Sequence, residues 1–166
     1  MKKWLILLFV TLLLCGCTEQ EVFEQVEDVY QVMASQPGIL LVEIPEDASV
    51  SAMGAGQENS IYFCDRYTLT VQTMAAGDLN RTMEDLTGFS TDGFALFQTR
   101  DGDVKQYEGT WTCAGEGGDQ VGRLVLLDDG DYHYAVTVMA SAEDAGDLRL
   151  AWDTVLGSVA LNDTGT

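Results

Sequence analysis

The stretch FALFQTRDGDVKQYEGTWTCAGEGGDQVGRLVLLDDGDYHYAVTVMA, residues 94–140, decides the fold. It holds four apolar runs, at 94–99, 105–113, 120–127 and 132–140. They are separated by Asp101-Gly102-Asp103, Gly115-Glu116-Gly117-Gly118 and Asp128-Asp129-Gly130-Asp131. Asp-Gly and Gly-Gly steps between β-forming runs are hairpin signals, because these residues accept the left-handed backbone that tight hairpin turns require. Three successive hairpins predict four strands in an antiparallel meander. Residues 121–127 are apolar toward both faces, which suits a central strand covered on both sides. Tyr107, Trp111, Tyr132 and Tyr134 fall at even spacing within the runs. Such aromatics can line a ligand surface, but at this period they more often face a core.

Toward the N-terminus, residues 60–74 are rich in β-formers, with Tyr67, Leu69 and Val71 alternating against Arg66, Thr68, Thr70 and Gln72. Gly77-Asp78 then opens a helix: Asp78 is a good N-cap, Leu79, Met83 and Leu86 make an apolar stripe, and Gly88 ends it. Residues 39–44 read as a short strand stopped by Pro45, and 51–59, with two glycines, as a loop. Residues 18–36, TEQEVFEQVEDVYQVMASQ, predict an amphipathic helix with Val22, Val26, Val29 and Met33 on one side, stopped by Pro37-Gly38. At the other end, 144–158 predicts a closing helix buried through Leu148, Ala151, Trp152, Val155 and Val159. The order α-β-β-α-β-β-β-β-α makes the fold class α+β, an antiparallel β-sheet with helices packed on its faces. A length of 166 residues, 46% of them hydrophobic, fits a single domain.

The first seventeen residues carry an export signal. Lys2 and Lys3 precede residues 4–14, which are apolar except for Thr11. Such a run reaches about 16 Å as a helix, against a hydrocarbon core of about 30 Å, so it reads as a signal-peptide segment and not as a membrane span. It closes on Leu14-Cys15-Gly16-Cys17, which resembles the bacterial lipobox: Leu at −3, a small residue at −1, then the cysteine that is lipidated. The resemblance implies cleavage after Gly16, a diacylglyceryl thioether on Cys17, and a domain held at the extracytoplasmic face of the cell membrane. Acyl chains contribute about 0.8 kcal/mol per buried CH₂, and two or more suffice for stable anchoring. Cleavage removes Lys2 and Lys3 and no acid, so the net charge moves from −19 to −21.

That charge, 27 Asp+Glu against 8 Lys+Arg, repels phosphate backbones and excludes a nucleic-acid partner. The partners expected are the membrane, through the lipid on Cys17, and an envelope protein with a basic or apolar face. Cys64 and Cys113 are the thiols left in the domain. Export places them where disulfides persist, and the expectation is a Cys64–Cys113 bond. Closing a loop of about 50 residues would contribute roughly 4 kcal/mol in the chain-entropy view. Two unrelated thiols packed in a core are the plainer alternative.

No catalytic residue, metal ligand or cofactor is assigned. Residues 114–119 are glycine-rich but lack the Lys-Ser/Thr of a phosphate loop and carry Glu116 and Asp119, so they read as a hairpin loop. Asp101, Asp103 and Glu108, and separately Asp128, Asp129 and Asp131, offer oxygens to Ca²⁺, yet neither set matches an EF-hand, and aspartates suit exposed turns. His133, the sole histidine, lies opposite Tyr132 and Tyr134 on its strand and reads as structural before it reads as an acid–base group.

The strand through residues 67–74 leading into the Gly77-Asp78 helix, the hairpin strands around Trp111 and 132–139, and the closing helix with Trp152 and Leu156-Gly157-Ser158-Val159 together resemble the Mog1/PsbP-like superfamily. The resemblance spans about 39–161. The family usually has an aromatic after that serine, where Val159 stands here. It implies an α/β/α sandwich, found in many small bacterial lipoproteins, mostly non-catalytic with accessory, assembly or binding roles, and carries over no functional residue. The expected organisation is a leader at 1–16, the lipidated cysteine and N-terminal helix or tether at 17–38, one α+β domain at 39–161, and a tail at 162–166. The expected function is a lipid-anchored, non-enzymatic binding or accessory protein of the cell envelope. The alternative is a membrane-anchored hydrolase working through carboxylates or His133.

Overall fold

The computed structural model describes residues 36–51 and 59–162. The expected leader, Cys17, the helix at 18–36 except its last residue, and most of the loop at 51–59 lie outside these residues. The strands are β1 (Ile39–Leu41), β2 (Ser49–Val50), β3 (Asn59–Phe63), β4 (Tyr67–Ala75), β5 (Ala95–Asp101), β6 (Val104–Gly115), β7 (Gly118–Asp128), β8 (Tyr132–Ser141) and β9 (Ala160–Asn162). The helices are α1 (Leu79–Thr87) and α2 (Arg149–Gly157). Seven strands form one antiparallel sheet in the order β2-β3-β4-β8-β7-β6-β5, and β1 and β9 pair as a separate ribbon. The meander expected from the hairpin signals is β5 to β8, joined in register from Asp101↔Val104 to Asp128↔His133.

Alternation sorts the side chains between two cores. Tyr67 and Leu69 on β4, Val125 and Leu127 on β7, and Tyr134, Val136 and Val138 on β8 point to one face, where α2 buries Trp152, Val155 and Leu156 against them. Leu40 and Leu161 of the ribbon pack on the same face. The opposite face gathers Tyr107 and Trp111 on β6, Leu124 and Leu126 on β7 and Ala135 on β8 beneath Met83 of α1. A Cβ on Gly122 would lie 2.7 Å from Cη2 of Trp111 and closer still to Cζ2 and Cε2, so glycine is what lets that indole lie flat on β7.

Helix α1 follows its sequence signals. The Asp78 carboxylate accepts the Arg81 N–H at 3.0 Å, and Gly88 ends the helix at φ 80°, where its N–H bonds back to the Glu84 carbonyl at 2.8 Å.

Four expectations need correction. Residues 60–74 are two strands, β3 and β4, joined by a two-residue turn at Asp65-Arg66 that closes with Cys64 N–H to the Tyr67 carbonyl at 3.0 Å. The turn lacks glycine, so it left no punctuation in the sequence. The closing helix starts at Arg149; residues 142–148 are wound as turns pinned by Ser141, whose hydroxyl donates to Asp144 at 2.7 Å. Ala151 is exposed, and Leu156 takes its place in the buried stripe. Residues 160–162 form a strand that was not expected, and it takes in the first residue of the tail expected at 162–166, because β1 needs a partner for its backbone.

Candidate functional site

Cys64 and Cys113 are both free, and the expected disulfide is not formed. The register explains why. Cys64 sits opposite Tyr67, which pairs with Ala140, then Val121, then Thr112, the neighbour of Cys113. The two cysteines therefore stand at one level of the sheet but four strand steps apart, roughly 19 Å at about 4.8 Å per step. Cys64 packs against the α2 core and Cys113 against the α1 core. A disulfide needs Cα atoms within about 7 Å.

His133 is 2% exposed on the α1 face, and its Nδ1 lies 3.0 Å from the Thr82 hydroxyl of α1. Burial holds its pKa below the ordinary histidine value, against the raising charges of Asp128 and Asp129 and with the help of Lys105. Its cross-strand neighbour Asp128 is also buried. Burial alone would raise the Asp128 pKa, but Lys105 Nζ at 3.1 Å and the Gly130 N–H at 2.9 Å hold it lower. The Asp129 carboxylate accepts the Asp131 and Tyr132 N–H groups and the Tyr134 hydroxyl, at 2.9, 2.7 and 2.7 Å. Burial and that carboxylate push the Tyr134 pKa up to about 12, while the Gly38 N–H, 2.8 Å from the phenol oxygen, lowers it. Two of the acids weighed as Ca²⁺ ligands thus tie the β7–β8 turn to the sheet. Among the described residues, no three or more His, Cys, Asp or Glu side chains gather as a metal site.

The concave feature with a buried floor lies beside α2. It measures about 330 Å³ and is lined by Tyr67, Leu148 and Val155 below, by the exposed Ala151 on α2, and by acidic residues and Arg66 at its mouth. The sequence had marked none of this, because the lining comes from the β1–β2 connection, the β3–β4 turn and α2. Arg66 is engaged: its Nη1 lies 3.3 Å from Asp144 and 3.5 Å from Asp147, and its Nε 3.7 Å from Asp65. Burial raises the pKa of Tyr67, and the Cys64 thiol that bonds its hydroxyl and the charge of Asp47 raise it further. The Cys64 thiol is likewise raised, by burial first; the Tyr67 hydrogen bond opposes this and the Asp47 charge adds to it. A raised thiol is a poor nucleophile. A larger hollow of about 580 Å³ lies between the β5–β6 turn and β9, but one whole wall of it is the exposed hairpin tip at 99–103.

No protein-family model matches the chain, and no curated protein matches it. Solved structures do. A protein from Bacteroides thetaiotaomicron is 12% identical with a TM-score of 0.51; the match covers 76% of this chain but 46% of that protein, so the chain spans under half its length. LpqN of Mycobacterium tuberculosis, described as involved in cell envelope biogenesis, is 10% identical over 76% of this chain and 86% of its own, with a TM-score of 0.47. CyanoP, the cyanobacterial PsbP of Synechocystis, is 9% identical over 76% of this chain and 95% of its own, with a TM-score of 0.53.

The fold is PsbP-like.

On this PsbP-like sheet the sequence-marked groups are scattered. Cys64 lies near the hollow by α2, Cys113 on the far face, and His133 under α1. The aromatics Tyr107, Trp111 and Tyr134 are core residues, each under 9% exposed. Among the described residues, no helix is long and apolar enough to cross a membrane.

Proposed function

We propose that this protein is a lipid-anchored, extracytoplasmic, non-enzymatic binding or accessory protein of a bacterial cell envelope. The observation that carries the reading is the succession of sequence signals in the leader: Lys2-Lys3, the apolar run at 4–14, and Leu14-Cys15-Gly16-Cys17. Lipid on Cys17 supplies the attachment, and a net charge of −21 after cleavage keeps the domain off anionic lipid headgroups. The chemistry of the domain supports binding over catalysis. His133 is buried with its Nδ1 on a threonine, and the Cys64 thiol is pushed toward its protonated form. The hollow beside α2 has a mainly apolar floor, formed by Tyr67, Leu148 and Val155.

The test is Cys17→Ser in the native host. The expected outcome is loss of detergent-phase partitioning and of the lipid mass increment. Partitioning that survives the change would refute the anchor. Affinity capture of the wild-type protein from its own membranes is expected to recover a specific envelope component, and turnover of an envelope substrate by the purified protein would overturn the non-enzymatic reading.

A further inference from the structure

We infer that the hollow beside α2 is a binding site for a small organic ammonium ion, a compact apolar body carrying one positive charge. The inference takes from the proposed function only that the domain binds rather than catalyses; it is independent of the anchor.

The floor sets the body of the ligand. Tyr67, Leu148 and Val155 are 8%, 6% and 2% exposed, and Ala151 leaves a gap above them on α2. A volume of about 330 Å³ suits one ring or a short branched chain, at the small end of ligand cavities. The rim sets the charge. Glu43 and Asp47 reach the mouth from the β1–β2 connection, and Asp65 from the β3–β4 turn. The one cation there, Arg66, is already shared among Asp65, Asp144 and Asp147. Glu43 and Asp47 make no ion pair among the described residues, and the field of Asp47 reaches the Tyr67 hydroxyl on the floor and the Cys64 thiol bonded to it. An anion entering this corner meets uncompensated carboxylates. A neutral apolar ligand leaves them unpaired over a partly dry floor. A cation with an apolar body satisfies both layers, and the Tyr67 ring adds an aromatic surface for it.

The test titrates the full-length protein, in a neutral detergent, with benzylamine and with its neutral counterpart benzyl alcohol, read by calorimetry. Benzylamine is expected to bind saturably and benzyl alcohol about tenfold more weakly or not at all. The pair Glu43→Gln and Asp47→Asn, both at exposed positions, is expected to weaken benzylamine about tenfold while leaving the melting temperature unchanged. Ala151→Trp, also at an exposed position, fills the hollow and is expected to abolish binding. Equal binding of amine and alcohol, amine binding indifferent to Ala151→Trp, or no saturable binding would each overturn the proposal. Failure here with an intact Cys17 anchor leaves the envelope reading standing; loss of the anchor with benzylamine binding intact does the reverse.

Discussion

The two faces of the sheet are closed in different ways. On the α2 face, twelve buried residues among those described form a broad wall of aliphatic and aromatic side chains centred on Trp152. On the α1 face, the described residues include six buried ones, and a few large groups rest on bare backbone, with Trp111 lying on Gly122. The α1 face also keeps a buried polar link, Thr82 to His133, while the buried polar atom of the α2 core, Trp152 Nε1, has no hydrogen-bond partner among the described residues. One core gains stability from bulk and should suffer when bulk is removed. The other depends on fit and on a titratable group, and should suffer when atoms or protons are added.

The largest expected effect is Trp152→Ala, which empties the centre of the broad wall and should cost about 3–5 kcal/mol, read as a fall in the urea midpoint at unchanged slope. A loss below about 1 kcal/mol would mean that α2 is not what closes this face.

Next comes Gly122→Ala. The added methyl drives into the Trp111 indole and should cost about 2 kcal/mol. In a Trp111→Ala background the same change should cost almost nothing, so a double-mutant cycle isolates the clash. Additive costs would show that the backbone of β7, and not the ring above it, requires glycine.

A smaller effect belongs to His133. Its folded-state pKa lies below the ordinary value of about 6.5, so the unfolded chain takes the proton first. Stability is full above pH 6.5 and declines as pH falls from there through the folded-state pKa. Denaturation midpoints between pH 7.5 and pH 5 should show that decline in the wild type and a shallower one in His133→Phe. Equal slopes would remove His133 from the balance.

Smallest is the response to salt, which both faces share. A chain of net charge −19 repels itself, and a Debye length of about 8 Å at 0.15 M screens much of that. Added NaCl should raise the melting temperature by about 2–4 °C. CaCl₂ at matched ionic strength should do no more, and an extra rise at micromolar Ca²⁺ would restore a metal site at the acidic turns.

What could be read from the sequence was set by local chemistry. The Asp-Gly and Gly-Gly turns fixed four strands and their pairing, and Asp78 with Gly88 bracketed α1, because each signal acts within a few residues. The Asp65-Arg66 turn went unread since it uses neither glycine nor asparagine. β9 went unread because a three-residue strand exists only when a partner 120 residues away in the chain supplies its hydrogen bonds. The hollow beside α2 was invisible for the same reason: its walls come from three separate segments. The Cys64–Cys113 expectation failed because compartment and cysteine count say nothing about which strands lie between two thiols.

The β1–β9 ribbon brings Ile39 opposite Asn162, so the entry and exit of the domain lie side by side, on the order of 5 Å apart in an antiparallel pair. A bridge of two or three residues is long enough to close that gap and turn the domain into a ring of chain. Opened instead at the exposed Gly102 tip, such a ring would keep every strand in its present order and lose one hairpin connection. The place where the chain enters and leaves the domain is thus separable from the sheet itself, and a circularly permuted domain could begin and end at the β5–β6 tip without any change in the core.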